Sequence, residues 1–171
     1  MTTPRPVRLL VCGNTERGDD GAARVAVTGL LPGLPARLLA DLDVRPCESL
    51  QLEDLLELPA DCACVIVDAA LGVIPGMVVT IALTDVPARD ARTGPVARSS
   101  HVLPIGQIVA MAEVMRGRRI DGYLVAIGGD RFGFGPGLGQ HVRAGLPAFE
   151  AAIEAALIDA ATAPALAGIE G

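Results

Sequence analysis

Short runs of apolar residues alternate along the chain with polar, glycine-rich punctuation. Val7 to Cys12 is an apolar run stopped by Gly13-Asn14, the pattern of a buried strand entering a tight turn. From Asp19 to Leu31, acidic residues come first, Ala, Val and Leu follow, and Pro32-Gly33 ends the stretch. This predicts a helix with carboxylates at its positive end. Residues 36–44 suggest a second strand, with a helical turn as the alternative, and Ser49 to Leu58 predict a short helix ended by Pro59. Cys62 to Val67 is a continuous small and β-branched run, as in a strand covered on both faces, with Asp68 the first charge after it. Gly76 to Leu83 follows too closely for a crossover helix, so it is expected to pair antiparallel at a sheet edge. Asp85 to Ser100 reads as a long surface loop. In the stretch from Pro104 to Met115, Ile105, Ile108, Val109 and Ala112 recur at helical spacing, with Met111 and Met115 read as core filler. Tyr123 to Ile127 is the last predicted strand. Residues 141–158 form a long amphipathic helix in which Pro147 implies a kink or a late start.

The order β-α-β-α-β-β-α-β-α implies an α/β fold: an open, mostly parallel twisted sheet of about five strands with helices on both faces. One domain over residues 1–171 is expected, with an ordered core over about 7–158 and a frayed tail over about 160–171. At 171 residues and 51% apolar, the chain can bury a core without a disulfide or metal scaffold. Aromatics are only 2%, with no Trp, so base-stacking platforms are missing from the sequence. A net charge of −6, with Arg as the sole strongly basic residue type, disfavours phosphate-backbone binding, and no nucleic-acid partner is expected. No segment reaches the apolar length of a membrane span. Cys12, Cys47, Cys62 and Cys64 lack CxxC spacing, which fits a reducing cytoplasm.

Ligands of open α/β sheets bind beyond the carboxyl ends of the parallel strands. Three candidate groups fall near that edge: Asp20 after the first strand, Asp68 at the end of the central strand, and His101 at the end of the Arg-containing loop. Two carboxylates and an imidazole suit a borderline divalent metal such as nickel or zinc, with positions left open for a substrate ligand. Each residue also has a plain structural role: Asp19 and Asp20 as helix-dipole partners, Asp68 bonding loop amides, His101 as a local structural group. Asp19 is better explained by the dipole than by catalysis. Gly13 to Gly18 supplies neither GxGxxG nor a P-loop, and no HExxH or GxSxG is present. The Gly-rich stretch 128–139 reads as a flexible loop able to mould around a peptide, and His141 as a surface residue.

Taken in order, Gly13-Asn14, Gly18-Asp19-Asp20-Gly21, Val65-Ile66-Val67-Asp68-Ala69 with Pro75-Gly76 behind it, Ser99-Ser100-His101 and the Gly-rich turn before a terminal helix resemble the [NiFe]-hydrogenase maturation endopeptidases. The resemblance covers residues 7–158. It implies a peptidase that removes the C-terminal extension of the hydrogenase large-subunit precursor after nickel insertion. Asp20, Asp68 and His101 match the positions that bind nickel in that family and would engage the nickel carried by the precursor. The sequence departs from the family pattern at Asp41 to Glu53 and at Gly137-Leu138-Gly139, where Ser often follows the Leu. The rival reading is a non-catalytic nickel- or precursor-binding chaperone using the same three ligands. Arg89, Arg92 and Arg98, together with the Gly-rich loop, are expected to flank the groove that receives the precursor.

Overall fold

The computed structural model of the protein describes residues 4–87, 98–99 and 105–165. Six strands form one sheet: β1 (Val7–Cys12), β2 (Leu42–Cys47), β3 (Ala63–Leu71), β4 (Val78–Ala82), β5 (Arg98–Ser99) and β6 (Gly122–Gly128). The main path runs β2-β1-β3-β6-β4, and β5 pairs with the far end of β3. The β2–β1, β1–β3 and β3–β6 pairings are parallel, whereas β4 runs antiparallel to β6 at the edge. The open, mostly parallel α/β sheet expected from the sequence is therefore the one observed.

Helices α1 (Ala22–Leu30), α2 (Ala36–Ala40), α3 (Leu52–Leu56), α4 (Ile105–Arg116) and α5 (Gln140–Thr162) cover the two faces. Alternation along β1 decides which residues meet which layer. Val7, Leu9 and Val11 face α1 and α5, in a core that includes Phe149, Ile153 and Leu157. Leu10 and Cys12 face α3 and α4, with Leu55, Ile105, Ile108 and Val109. With helices on both sides, β3 needs no polar alternation, and every residue from Ala63 to Ala70 is buried.

Several local expectations change. Residues 36–47 contain both alternatives, a helical turn over Ala36–Ala40 that buries Leu38 and then β2. Pro46 lies in that edge strand, where a missing N–H costs least. Asp68 does not end β3; the strand continues for three more residues, and β5, which the loop reading missed, pairs with this extension through Ala70 and Ser99. Met111 and Met115 are 48% and 63% exposed rather than core filler, because Ile105, Ile108, Val109 and Ala112 already fill the inward stripe of α4. Helix α5 accepts Pro147 in its interior and runs on to Thr162, past the expected start of fraying. Arg89, Arg92, His101 and the last six residues of the tail lie outside the described residues, as does the side chain of Arg98.

Candidate active site

The carboxyl-terminal edge of the parallel strands gathers three segments: the turn after β1, the extension of β3 and the glycine-rich loop after β6. The chain leaves β1 through Gly13, whose φ of +114° and close approach to Asp20 exclude a side chain; a Cβ there would lie 1.9 Å from the Asp20 carbonyl oxygen. Its N–H is shared between the carbonyls of Cys47 and Glu48, and its carbonyl accepts from Arg24 Nε at 2.7 Å. The next amide, Asn14 N–H, donates to Asp20 Oδ2 at 2.9 Å. Asn14 Oδ1 accepts the N–H of Glu16 at 2.8 Å and closes the turn locally. Asp20 is thus held on a short Gly18–Gly21 3₁₀ turn that packs against β3, with 7% of its surface exposed.

Asp68 projects from the middle strand one residue beyond the Val11–Val67 register pair. It is 1% exposed, and its Oδ1 accepts the N–H of Ala69 at 2.9 Å. Its negative charge reaches the Cys12 thiol at the end of β1, where it adds to a hydrogen bond with Cys47 and to burial in pushing that thiol well up. Asp20 and Asp68 are therefore two buried acidic groups on segments that pack against each other. Two residues beyond Asp68, Ala70 pairs with Ser99, which precedes His101 by two positions in the sequence. His101 itself lies outside the described residues, and among the described residues no three His, Cys, Asp or Glu side chains are grouped to hold a metal ion.

Asp19 adds most to the sequence reading. Beyond its place in the first turn before α1, its fully buried carboxylate accepts three main-chain N–H bonds from residues more than a hundred positions away, one of them Gly139 at the start of α5. Gly139 donates to Oδ1 at 2.7 Å, and Asp130 and Arg131 donate to Oδ2 at 3.0 and 2.9 Å. Burial pushes this carboxyl up, but the amides of Gly139, Asp130 and Arg131 outweigh it and hold the group below its ordinary range. The main chain continues the attachment: Asp19 N–H donates to Arg131 O, Gly18 N–H to Gly135 O, and Gly135 N–H to Glu16 O. Gly18, at φ +57°, leaves no room for a Cβ, which would sit 2.1 Å from Arg131 O.

The glycine-rich stretch is accordingly sewn to the Asp19 turn along its length. Its tip carries Phe134, 88% exposed, with the Arg17 guanidinium 5.5 Å from the ring centre. His141 is exposed, as expected. Among the described residues no helix is long and apolar enough to cross a membrane.

No family model and no curated protein sequence matches the chain. Solved structures do. The [NiFe] hydrogenase maturation protease HybD from Thermococcus kodakarensis superposes with a TM-score of 0.64 at 22% identity, covering 91% of this chain and 99% of that one. The hydrogenase maturating endopeptidase HybD from E. coli gives 0.68 at 18% identity, covering 90% and 93%. The endopeptidase HycI from Escherichia coli gives 0.61 at 20% identity, covering 97% and 99%. Coverage is nearly complete on both sides, so the likeness extends over the whole fold. The fold of this chain is that of the hydrogenase maturation proteases.

Proposed function

We propose that the protein is an endopeptidase that removes the C-terminal extension of a [NiFe]-hydrogenase large-subunit precursor once nickel has been inserted. The observation that carries this reading is the placement of two buried carboxylates, Asp20 and Asp68, on adjoining segments at the carboxyl edge of a fold shared with hydrogenase maturation proteases. Oxygen donors of this kind, joined by the imidazole of His101, suit a borderline divalent cation such as the nickel that the precursor carries as part of the substrate. Asp20, Asp68 and His101 engage that nickel and so fix the position of the scissile bond, and a water attacks its carbonyl. Asn14 N–H orients Asp20, and Ala69 N–H orients Asp68, so each carboxylate meets the substrate in a preset direction. The glycine-rich loop, anchored on Asp19, flanks the approach, and Arg89, Arg92 and Arg98 contribute to precursor binding.

The test is incubation of the purified protein with nickel-loaded and nickel-free precursor, followed by mass analysis of the precursor. Loss of a C-terminal peptide from the loaded form alone is expected. Binding of the loaded precursor without any mass loss would replace the peptidase reading with that of a nickel- or precursor-binding chaperone.

A further inference from the structure

Two thiols meet directly beneath this edge. Cys12 and Cys47 end the parallel strands β1 and β2 and are partners in the strand register. Their sulfurs are 3.2 Å apart and both are free thiols. A disulfide has an S–S bond of about 2.05 Å and tolerates Cα separations of roughly 4.4–6.8 Å. Neighbouring strands are about 4.8 Å apart, inside that window. Closing the remaining gap of roughly 1.1 Å falls to the side chains, with the backbone ladder already in place.

We propose that Cys12 and Cys47 are a site of reversible oxidative modification, forming a disulfide when the protein meets a peroxide-class two-electron oxidant. The two cysteines divide the chemistry by access. Cys12 is fully buried, whereas Cys47 is half-buried on the edge strand and is the sulfur that the oxidant reaches. Cys12, buried and already 3.2 Å from the Cys47 sulfur, is placed for the second step rather than the first.

In the first step the Cys47 sulfur attacks hydrogen peroxide. An S–O bond forms, the O–O bond breaks, and the departing hydroxide leaves as water with the thiol proton, giving a sulfenic acid on Cys47. In the second step the Cys12 sulfur attacks Cys47 as its own proton leaves. The S–S bond forms, the S–O bond breaks, and the hydroxide departs as a second water. The two thiols thus supply the two electrons that reduce one peroxide.

The other pair provides an internal control. Cys62 and Cys64 lie at the opposite edge of the sheet, where β3 begins, and Cys62 Sγ donates to the Ala63 carbonyl. Burial raises both of these thiols as it does Cys12, and what sets this pair apart is that Cys62 Sγ is directed to a carbonyl rather than to a second sulfur.

The experiment treats the full-length protein with hydrogen peroxide at neutral pH, alkylates it under denaturing conditions, and maps it after digestion with trypsin and a glutamyl endopeptidase. A crosslink between residues 9–16 and 38–48, two hydrogens lighter than the separate peptides and released by a thiol reductant, is expected, with Cys62 and Cys64 fully alkylated. In Cys12→Ser the sulfenic acid on Cys47 should accumulate and be trapped by dimedone, a readout that simple solvent exposure of Cys12 would not give. Four alkylatable thiols after oxidation, a crosslink involving Cys62 or Cys64, or sulfinic acid on Cys47 with Cys12 still free would each overturn the proposal. The wild-type map decides without relying on the variant's folding. Neither nickel nor precursor is present, so its failure is separable from failure of the peptidase reading.

Discussion

Replacing Asp19 isolates the attachment between the turn after β1 and the glycine-rich loop. Asp19→Ala removes the acceptor of three N–H bonds and leaves the donors of Asp130, Arg131 and Gly139 without it. An orphaned buried donor costs about 1–3 kcal/mol. The Gly139 bond is fully buried and takes the full cost, whereas the amides of Asp130 and Arg131 are partly buried and regain water. The total is then about 3–5 kcal/mol, a large share of the roughly 5–15 kcal/mol by which domains are stable. For a chain of this length that corresponds to a fall in Tm of about 6–20 °C. Asp19→Asn keeps one acceptor oxygen but aims an NH₂ group at a donor, so most of the loss should remain.

Acid supplies the second half of the test. Because the fold holds Asp19 below its ordinary value of 3.8, the unfolded chain takes up its proton first as pH falls. The stabilisation is complete above that ordinary value and disappears as pH drops through the folded-state value. Urea denaturation followed by circular dichroism at pH 7, 5 and 3 should therefore show a constant gap between the wild type and Asp19→Asn at the two higher values, and a narrower gap at pH 3. Other carboxylates, including Asp43 beside Arg45 and Arg8, titrate in both proteins and cancel in the difference. A gap below about 1 kcal/mol at pH 7, or one that does not narrow in acid, refutes the assignment of Asp19 as the charged anchor of the loop.

Four further outcomes are expected. Gly13→Ala, forced into φ +114° with its Cβ against the Asp20 carbonyl, should lose about 2–5 kcal/mol, checked by thermal melting. Arg116→Met should lose about 2 kcal/mol in urea denaturation, since the guanidinium donates at 2.7 Å to the carbonyls of Leu55 and Leu58 at the end of α3, and Arg116→Lys should recover only part of it. Closing the Cys12–Cys47 bridge, 35 positions apart in sequence, should raise stability by about 4 kcal/mol on the chain-entropy model, seen as a Tm difference between peroxide-treated and reduced protein. With loaded precursor at saturation, His101→Ala should abolish cleavage, whereas Arg98→Ala should cleave normally and weaken binding by about 1 kcal/mol.

What the sequence disclosed and what it withheld follow from the range of the forces involved. Runs such as Val7 to Cys12 and Cys62 to Val67 were readable because strand burial on two faces leaves a local, uninterrupted apolar pattern. Asp20 and Asp68 were readable as candidates because a charge placed just after or within such a run is unusual. The attachment of Asp19 to the loop was hidden because its partners are distant backbone amides, and an amide donor has no signature in the residue it belongs to. Met111 and Met115 were misassigned because a helix face records only that a residue is apolar, and the inward stripe of α4 was already full. Cys12 and Cys47 gave no spacing cue, since register between parallel strands joined by a long crossover depends on tertiary packing.

The neighbouring residues Asp19 and Asp20 show how that distinction shapes function. Both are buried acids on one short turn, but Asp19 turns toward the loop amides and spends its acceptor capacity on structure. Asp20 receives the Asn14 N–H on one oxygen and stays beside β3, at the edge where Asp68 emerges. A carboxylate that already satisfies three donors is a poor ligand for an incoming cation, because binding would require those bonds to be given up. On the proposed reading the chemical role at the doublet falls to Asp20, with Asp19 fixing the glycine-rich loop. Gly13 and Gly18, where an added Cβ would meet the carbonyls of Asp20 and Arg131, let the chain approach closely enough to keep the two acids in these places.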